Sequence, residues 1–150
     1  VTEGTNGKMS EIHAAMGLVN FESLDTFIDT NRRNYEEYKR QLANTSGIEV
    51  HSLDSDERLN HQYVVIEVHE QYPLTRDELM TKLHKNNILA RRYFWPGCHN
   101  MEPYKSLYPG AKLMLTTTEQ IAKRLLVLPT GTAVDLPEIQ QITNYINEEV

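Results

Sequence analysis

The sequence runs to 150 residues, enough for one domain with a genuine hydrophobic core and too few for two of ordinary size. Its 21 acidic residues outnumber 15 basic ones for a formal net charge of -6, and no basic stripe longer than Arg32-Arg33 or Arg91-Arg92 appears, which argues against nucleic acid as a partner. No run approaches the roughly 18 apolar residues that span a bilayer, and no membrane association is expected. The first residues lack the charged and apolar regions of a signal peptide, so a cytoplasmic location is expected. The single cysteine, Cys98, cannot form an internal disulfide, which fits a reducing compartment. The "NTS" at 44 to 46 matches the glycosylation sequon by chance on this reading. An apolar fraction of 39% is below the globular average and implies extra exposed surface, as a missing partner surface would leave.

The chain opens on "GTNGKMSEIHAAMG", loop chemistry that turns at once into helix, as if the protein were entered in its middle. From Ser10 the periodicity is helical, with Ile12, Ala15, Met16 and Val19 on one face, then Leu24, Ile28, Asn31, Tyr35, Tyr38 and Leu42. This predicts one very long helix or two in succession, broken at Gly17 or within Asn20 to Ser23, with charge pairs Arg32 to Glu36 and Glu36 to Arg40. "NTSG" ends the helix before a short strand over 48–51 and a polar loop. The clearest strand covers 61–69, where Val64, Ile66 and Val68 share one face and Tyr63 and Val65 the other. Thr75 with Glu78, Thr116 with Glu119 and Asp135 with Glu138 announce three capped helices, the last with Pro137 in its first turn. "ILARRYF" at 88–94 reads as a strand, and "LLVLP" at 125–129 as a strand or a helix end. The irregular stretch 96–115 exceeds the usual loop length, and such loops are more often functional than structural.

"GTNGK" is not a phosphate loop, because Gly4 and Gly7 are too close and Lys8 precedes Met9 rather than Ser or Thr. A glycine-rich turn opening a helix still offers backbone N–H groups and a lysine to an anion, although spacing alone favours a solvated hinge. Cys98 beside His99 is a poor thiol and base pair, since sequence neighbours rarely face one another. The six histidines show no paired ligand spacing, and no metal site is indicated. In "ARRYFWPGCH" the arginines could grip carboxylate or phosphate, but alternation puts Arg91 and Arg92 on opposite faces. The competing reading has Tyr93 and Trp95 plugging the core edge while an arginine pairs with surface acids.

These residues resemble the DegT/DnrJ/EryC1/StrS aminotransferases. The opening "GTNGKMSEIHAAMGLVNFESLDTFIDTNRRNYEEYKRQL" is similar to that family's G-x-N-x-[KR]-[ML]-[ST]-E-x-x-A-A segment with its following R-x-x-x-x-x-Y element, which Arg32 or Arg33 and Tyr38 fit. "ILARRYFWPGCH", "EPY" and "LPTG" continue the resemblance over nearly the whole chain. It implies an α+β fold, the small C-terminal domain of the aspartate-aminotransferase-like (fold type I) architecture, with an antiparallel or mixed sheet covered by helices. A hinge loop and long connecting helix over 1–44 would precede that domain at 45–150, and the N-terminal cofactor-binding domain would be absent.

The resemblance further implies a pyridoxal 5'-phosphate enzyme, acting as a homodimer, that moves an amino group from an amino acid, commonly glutamate, to a nucleotide-linked keto-sugar. Asn6 and Lys8 are carried over as neighbours of the cofactor phosphate across the dimer interface, and Arg92, Tyr93 and His99 as contacts to the sugar nucleotide. No catalytic residue is assigned: the Schiff-base lysine belongs to an S-x-x-K segment followed by glycines, and no lysine here has that setting. The chain alone is therefore expected to be inactive and not to hold the cofactor. The other reading, of a different class, is a non-catalytic interaction domain whose long helix binds a partner through its Leu24 to Leu42 stripe, although Asn31 and two tyrosines interrupt that seam.

Overall fold

A computed structural model describes residues 7–52 and 59–149. Two helices in succession open it, α1 (Glu11–Glu22) and α2 (Leu24–Leu42), with the break at Ser23, inside the expected stretch. Ser10 caps α1 by accepting from the backbone N–H of His13, which satisfies one of the donors a helix start leaves free. Gly17 lies within α1 and does not break it. The charge pairs on α2 form at three-residue spacing, Arg32 with Asp29 and Arg40 with Glu37, rather than through Glu36. Helix α1 buries none of its residues, whereas the second half of α2 buries Asn34, Tyr35, Tyr38 and Leu42.

Four strands follow in a single antiparallel sheet: β1 (Ile48–Val50), β2 (Val64–Val68), β3 (Arg91–Arg92) and β4 (Leu125–Leu128), in the order β1-β2-β4-β3. Ile66 stands opposite Val50 on one side and Leu126 on the other, so alternation sends Val64, Ile66, Val68, Leu126 and Leu128 to one buried face. Helix α2, α3 (Arg76–Lys85) and α7 (Leu136–Asn147) cover that face, with Leu79, Leu83, Ile139, Ile142 and Ile146 completing the core. All four residues of β4 are buried, as an inner strand apolar on both faces requires, and this decides between strand and helix end for that run.

Two of the three expected capping boxes are present, Thr75 with Glu78 on α3 and Asp135 with Glu138 on α7. The third is not: Thr116 is the first residue of α6 (Thr116–Ala122), after Leu115, and no side chain caps it. Glu119 is instead drawn away by His99 and Asn100. The strand expected over 88–94 shrinks to Arg91–Arg92, because Asn87 (φ 60°) and Phe94 (φ 43°) turn the chain on either side of it. The expected irregular stretch holds a 3-10 turn at Cys98–Asn100 and two short helices, α4 (Tyr104–Leu107) and α5 (Ala111–Met114), most of whose side chains are exposed.

Candidate functional site

Asn6 lies outside the described residues. Lys8 is exposed and stands just ahead of the Ser10 cap, where the first N–H groups of α1 emerge. A cation beside the positive end of a 12-residue helix is suited to an anion presented by another body, and Gly7 leaves space around that approach.

Arg92 and Tyr93 share a recess of about 170 Å³ at the sheet edge, with Tyr63, Arg91, Phe94 and Val127. Tyr93 is fixed there by edge-on contacts with Tyr63 and Phe94, at centroid distances of 5.8 and 4.5 Å. Arg92 is already engaged, donating from Nε to Asp77 Oδ1 at 2.9 Å. Arg76 donates to the same oxygen at 2.6 Å and spends its Nη1 on the carbonyls of Ala122 and Leu125. Both guanidinium groups flank the Trp95 ring, at 5.1 and 5.7 Å from its centroid. Burial pulls the Arg76 guanidinium below its ordinary value, and the hydrogen bond from Arg92 helps to hold Asp77 ionised below the usual carboxylate range despite partial burial. The surface-acid pairing of an arginine is therefore realised, while Trp95 stays well exposed and does not plug the core.

His99 sits elsewhere, in a mostly apolar recess of about 410 Å³ with Cys98, Tyr104, Tyr108, Ala111 and Leu115. Its Nε2 donates to Glu119 Oε1 at 2.7 Å, and Asn100 Nδ2 donates to the same oxygen at 2.7 Å. Lys112 approaches the other oxygen at 3.6 Å. These hydrogen bonds, that of His99 first, hold the Glu119 carboxyl at about 2. Gly97, at φ +88°, lets the imidazole fold back over it, because a Cβ there would stand 2.9 Å from the ring. Asp77, Asn100 and Glu119 carry these arrangements and were not singled out as site residues by sequence, since Glu119 reads as a cap partner and Asp77 as a first-turn acid. A cleft of about 760 Å³ between the start of α3 and the approach to β4 contains none of the expected residues.

A helix-backed four-stranded antiparallel sheet with an exposed leading helix and mostly apolar recesses at its edge is an α+β arrangement. The chain belongs to the DegT/DnrJ/EryC1/StrS aminotransferase family, whose profile matches residues 2–147. It is 33% identical over 145 residues to a dTDP-4-amino-4,6-dideoxy-D-glucose transaminase of Shigella dysenteriae, covering 97% of this chain and 39% of that one. A GDP-perosamine synthase of Vibrio cholerae is 26% identical over 141 residues, covering 94% and 37%. Among solved structures, DesI with its TDP-sugar product superposes with a TM-score of 0.87 at 41% identity, covering 97% of this chain and 36% of that one. PseC of Helicobacter pylori, an aminotransferase involved in pseudoaminic acid biosynthesis, shares the fold with a TM-score of 0.84 at 19% identity. The chain thus spans less than two fifths of the length of these relatives. Family membership leaves the interaction-domain reading without support.

Proposed function

We propose that this chain is the C-terminal part of a pyridoxal-phosphate-dependent aminotransferase that moves an amino group from glutamate to a nucleotide-linked keto-sugar. The observation that carries it is a match along 97% of the chain to a transaminase named for a dTDP-linked amino sugar. The domain division at 1–44 and 45–150, the homodimer and the cytoplasmic location belong to the same proposal.

When bound, pyridoxal phosphate supplies the electron sink for the chemistry at the amino-bearing carbon. The residues here fit its phosphate and not its covalent anchor. Lys8 is an exposed cation at a helix start, and together with Asn6 it would balance the phosphate of the facing subunit. Lys82, the least exposed lysine among the described residues, is occupied by the carbonyl of Tyr145 and by Glu149, at 2.8 and 2.6 Å. The remaining lysines are exposed, in no setting that would hold a neutral amine against a ring.

Arg92 and Tyr93 would border the sugar nucleotide from the sheet edge, and His99 from a separate recess. Asp77 holds Arg92 by its Nε, and Glu119 accepts from His99 Nε2, so these two side chains are oriented before a ligand arrives. The purified 150-residue chain, mixed with pyridoxal phosphate, glutamate and a dTDP-linked keto-sugar, is expected to show no 2-oxoglutarate formation. The same mixture with the complete protein is expected to turn over. Turnover by the chain alone, or none by the complete protein, would overturn this reading.

A further inference from the structure

The outward face of the sheet carries a cluster that aminotransferase chemistry does not use. Strand register sets Glu49 of β1 directly opposite Glu67 of β2, and like charges so placed repel. His69, just beyond β2 on the same face, places Nε2 3.1 Å from Glu49 Oε2 and Nδ1 3.8 Å from Glu67 Oε1. One ligand atom from each of the three lies within 4.8 Å of the others.

Glu67 is the fixed member, its side chain 11% exposed and its Oε1 held by Arg124 Nε at 2.9 Å. From the other side His51 turns Nε2 toward Glu67 Oε2 at 3.4 Å, and that nitrogen is shielded from solvent without a hydrogen-bond partner. Arg124 faces Glu67 as an ion pair without hydrogen-bond alignment, so its Nε and the His51 Nε2 are both left without a hydrogen bond beside that carboxylate.

We propose that Glu49, Glu67 and His69 bind a divalent first-row metal ion of the zinc class, with Arg124 orienting Glu67 from behind. Two carboxylates and a neutral imidazole suit zinc or manganese, whereas calcium would require six or more oxygens. The ion would replace the repulsion between the two glutamates with a shared counter-charge, and Arg124 would play the part of the outer partner that keeps a ligating carboxylate in place. Sequence spacing gave no hint of this group, because its members come from two strands and meet only through their register.

The test is titration of the 150-residue chain, free of pyridoxal phosphate, with zinc chloride by calorimetry, alongside the ring resonances of its histidines. We expect saturable one-to-one binding, with the His69 ring shifting ahead of the others. Glu49→Gln and His69→Gln should each weaken binding by about tenfold or more, while His13→Gln, on the exposed α1, leaves it unchanged. Glu49 is 65% exposed, so its variant retains the fold. Absence of saturable binding, or equal affinity in the Glu49 and His69 variants, would overturn the proposal.

Discussion

Gly47 turns the chain from α2 into β1 at φ +75°, and a Cβ built on it would stand 2.3 Å from the backbone nitrogen of Tyr72. Backbone cannot yield as a flexible side chain can, so Gly47→Ala combines left-handed strain with a collision. It should lower unfolding stability by about 3 kcal/mol, read from the urea midpoint. Gly17 is the contrast, a mid-helix glycine with nothing within 4 Å of its missing Cβ. Gly17→Ala should stabilise α1 locally by about 0.5–1 kcal/mol, seen as slower amide exchange in that helix. Tyr38 is fully buried, its phenol pushed above the ordinary tyrosine range by burial, and its hydroxyl donates to the carbonyl of Pro129 at 2.9 Å. Tyr38→Phe should cost about 1 kcal/mol in the same denaturation, because the carbonyl loses its partner. Periodicity places Tyr38 on the core stripe of α2, but its acceptor is 91 residues away and no local pattern points to it.

Helix α6 and the 3-10 turn before α4 are joined through one carboxylate. The Glu119 carboxyl titrates at about 2 in the fold, below its ordinary value of 4.5. A carboxyl lowered on folding contributes stability that is fully present above its unfolded value and is lost as pH falls toward the folded one. Between pH 5 and pH 2 the amide resonances of His99 and Asn100 should therefore move as this link is released. Glu119→Gln should abolish that transition while leaving the one at Glu37, which Arg40 and Gln41 hold at about 2. The caps on α3 and α7 were legible because each is satisfied within four consecutive residues. The cap on α6 was misread for the converse reason: Thr116 and Glu119 have the right spacing, and His99 and Asn100 compete for the glutamate from 20 and 19 residues upstream. Strand β3 was overestimated in the same way, since composition shows β-formers and not the positive φ of Asn87 and Phe94 that bound it.

At the scale of the whole molecule, the order of the longer helices and of the strands and the buried face of β2 followed from hydrophobic period and capping residues, while α4 and α5 within the expected irregular stretch did not. The placement of the site residues did not. Arg92 and Tyr93 meet in one recess and His99 lines another, which no spacing within 90–99 reveals. In the complete enzyme, Lys8→Ala should weaken cofactor retention, measured as loss of the protein-bound absorbance on dialysis. His99→Ala should raise the apparent KM for the sugar nucleotide several-fold, with a smaller change in kcat, as loss of ground-state binding requires.

Helix α1 sets a geometric condition on whatever dries it. Ile12, Met16 and Val19 crown one side of the rod, while Leu18 and Phe21 project from the reverse, and all five are exposed. At 3.6 residues per turn these two groups point in nearly opposite directions, so a single flat neighbour would leave one of them wet. Only a cleft, or two surfaces closing like the jaws of a clamp, could sheathe such a rod.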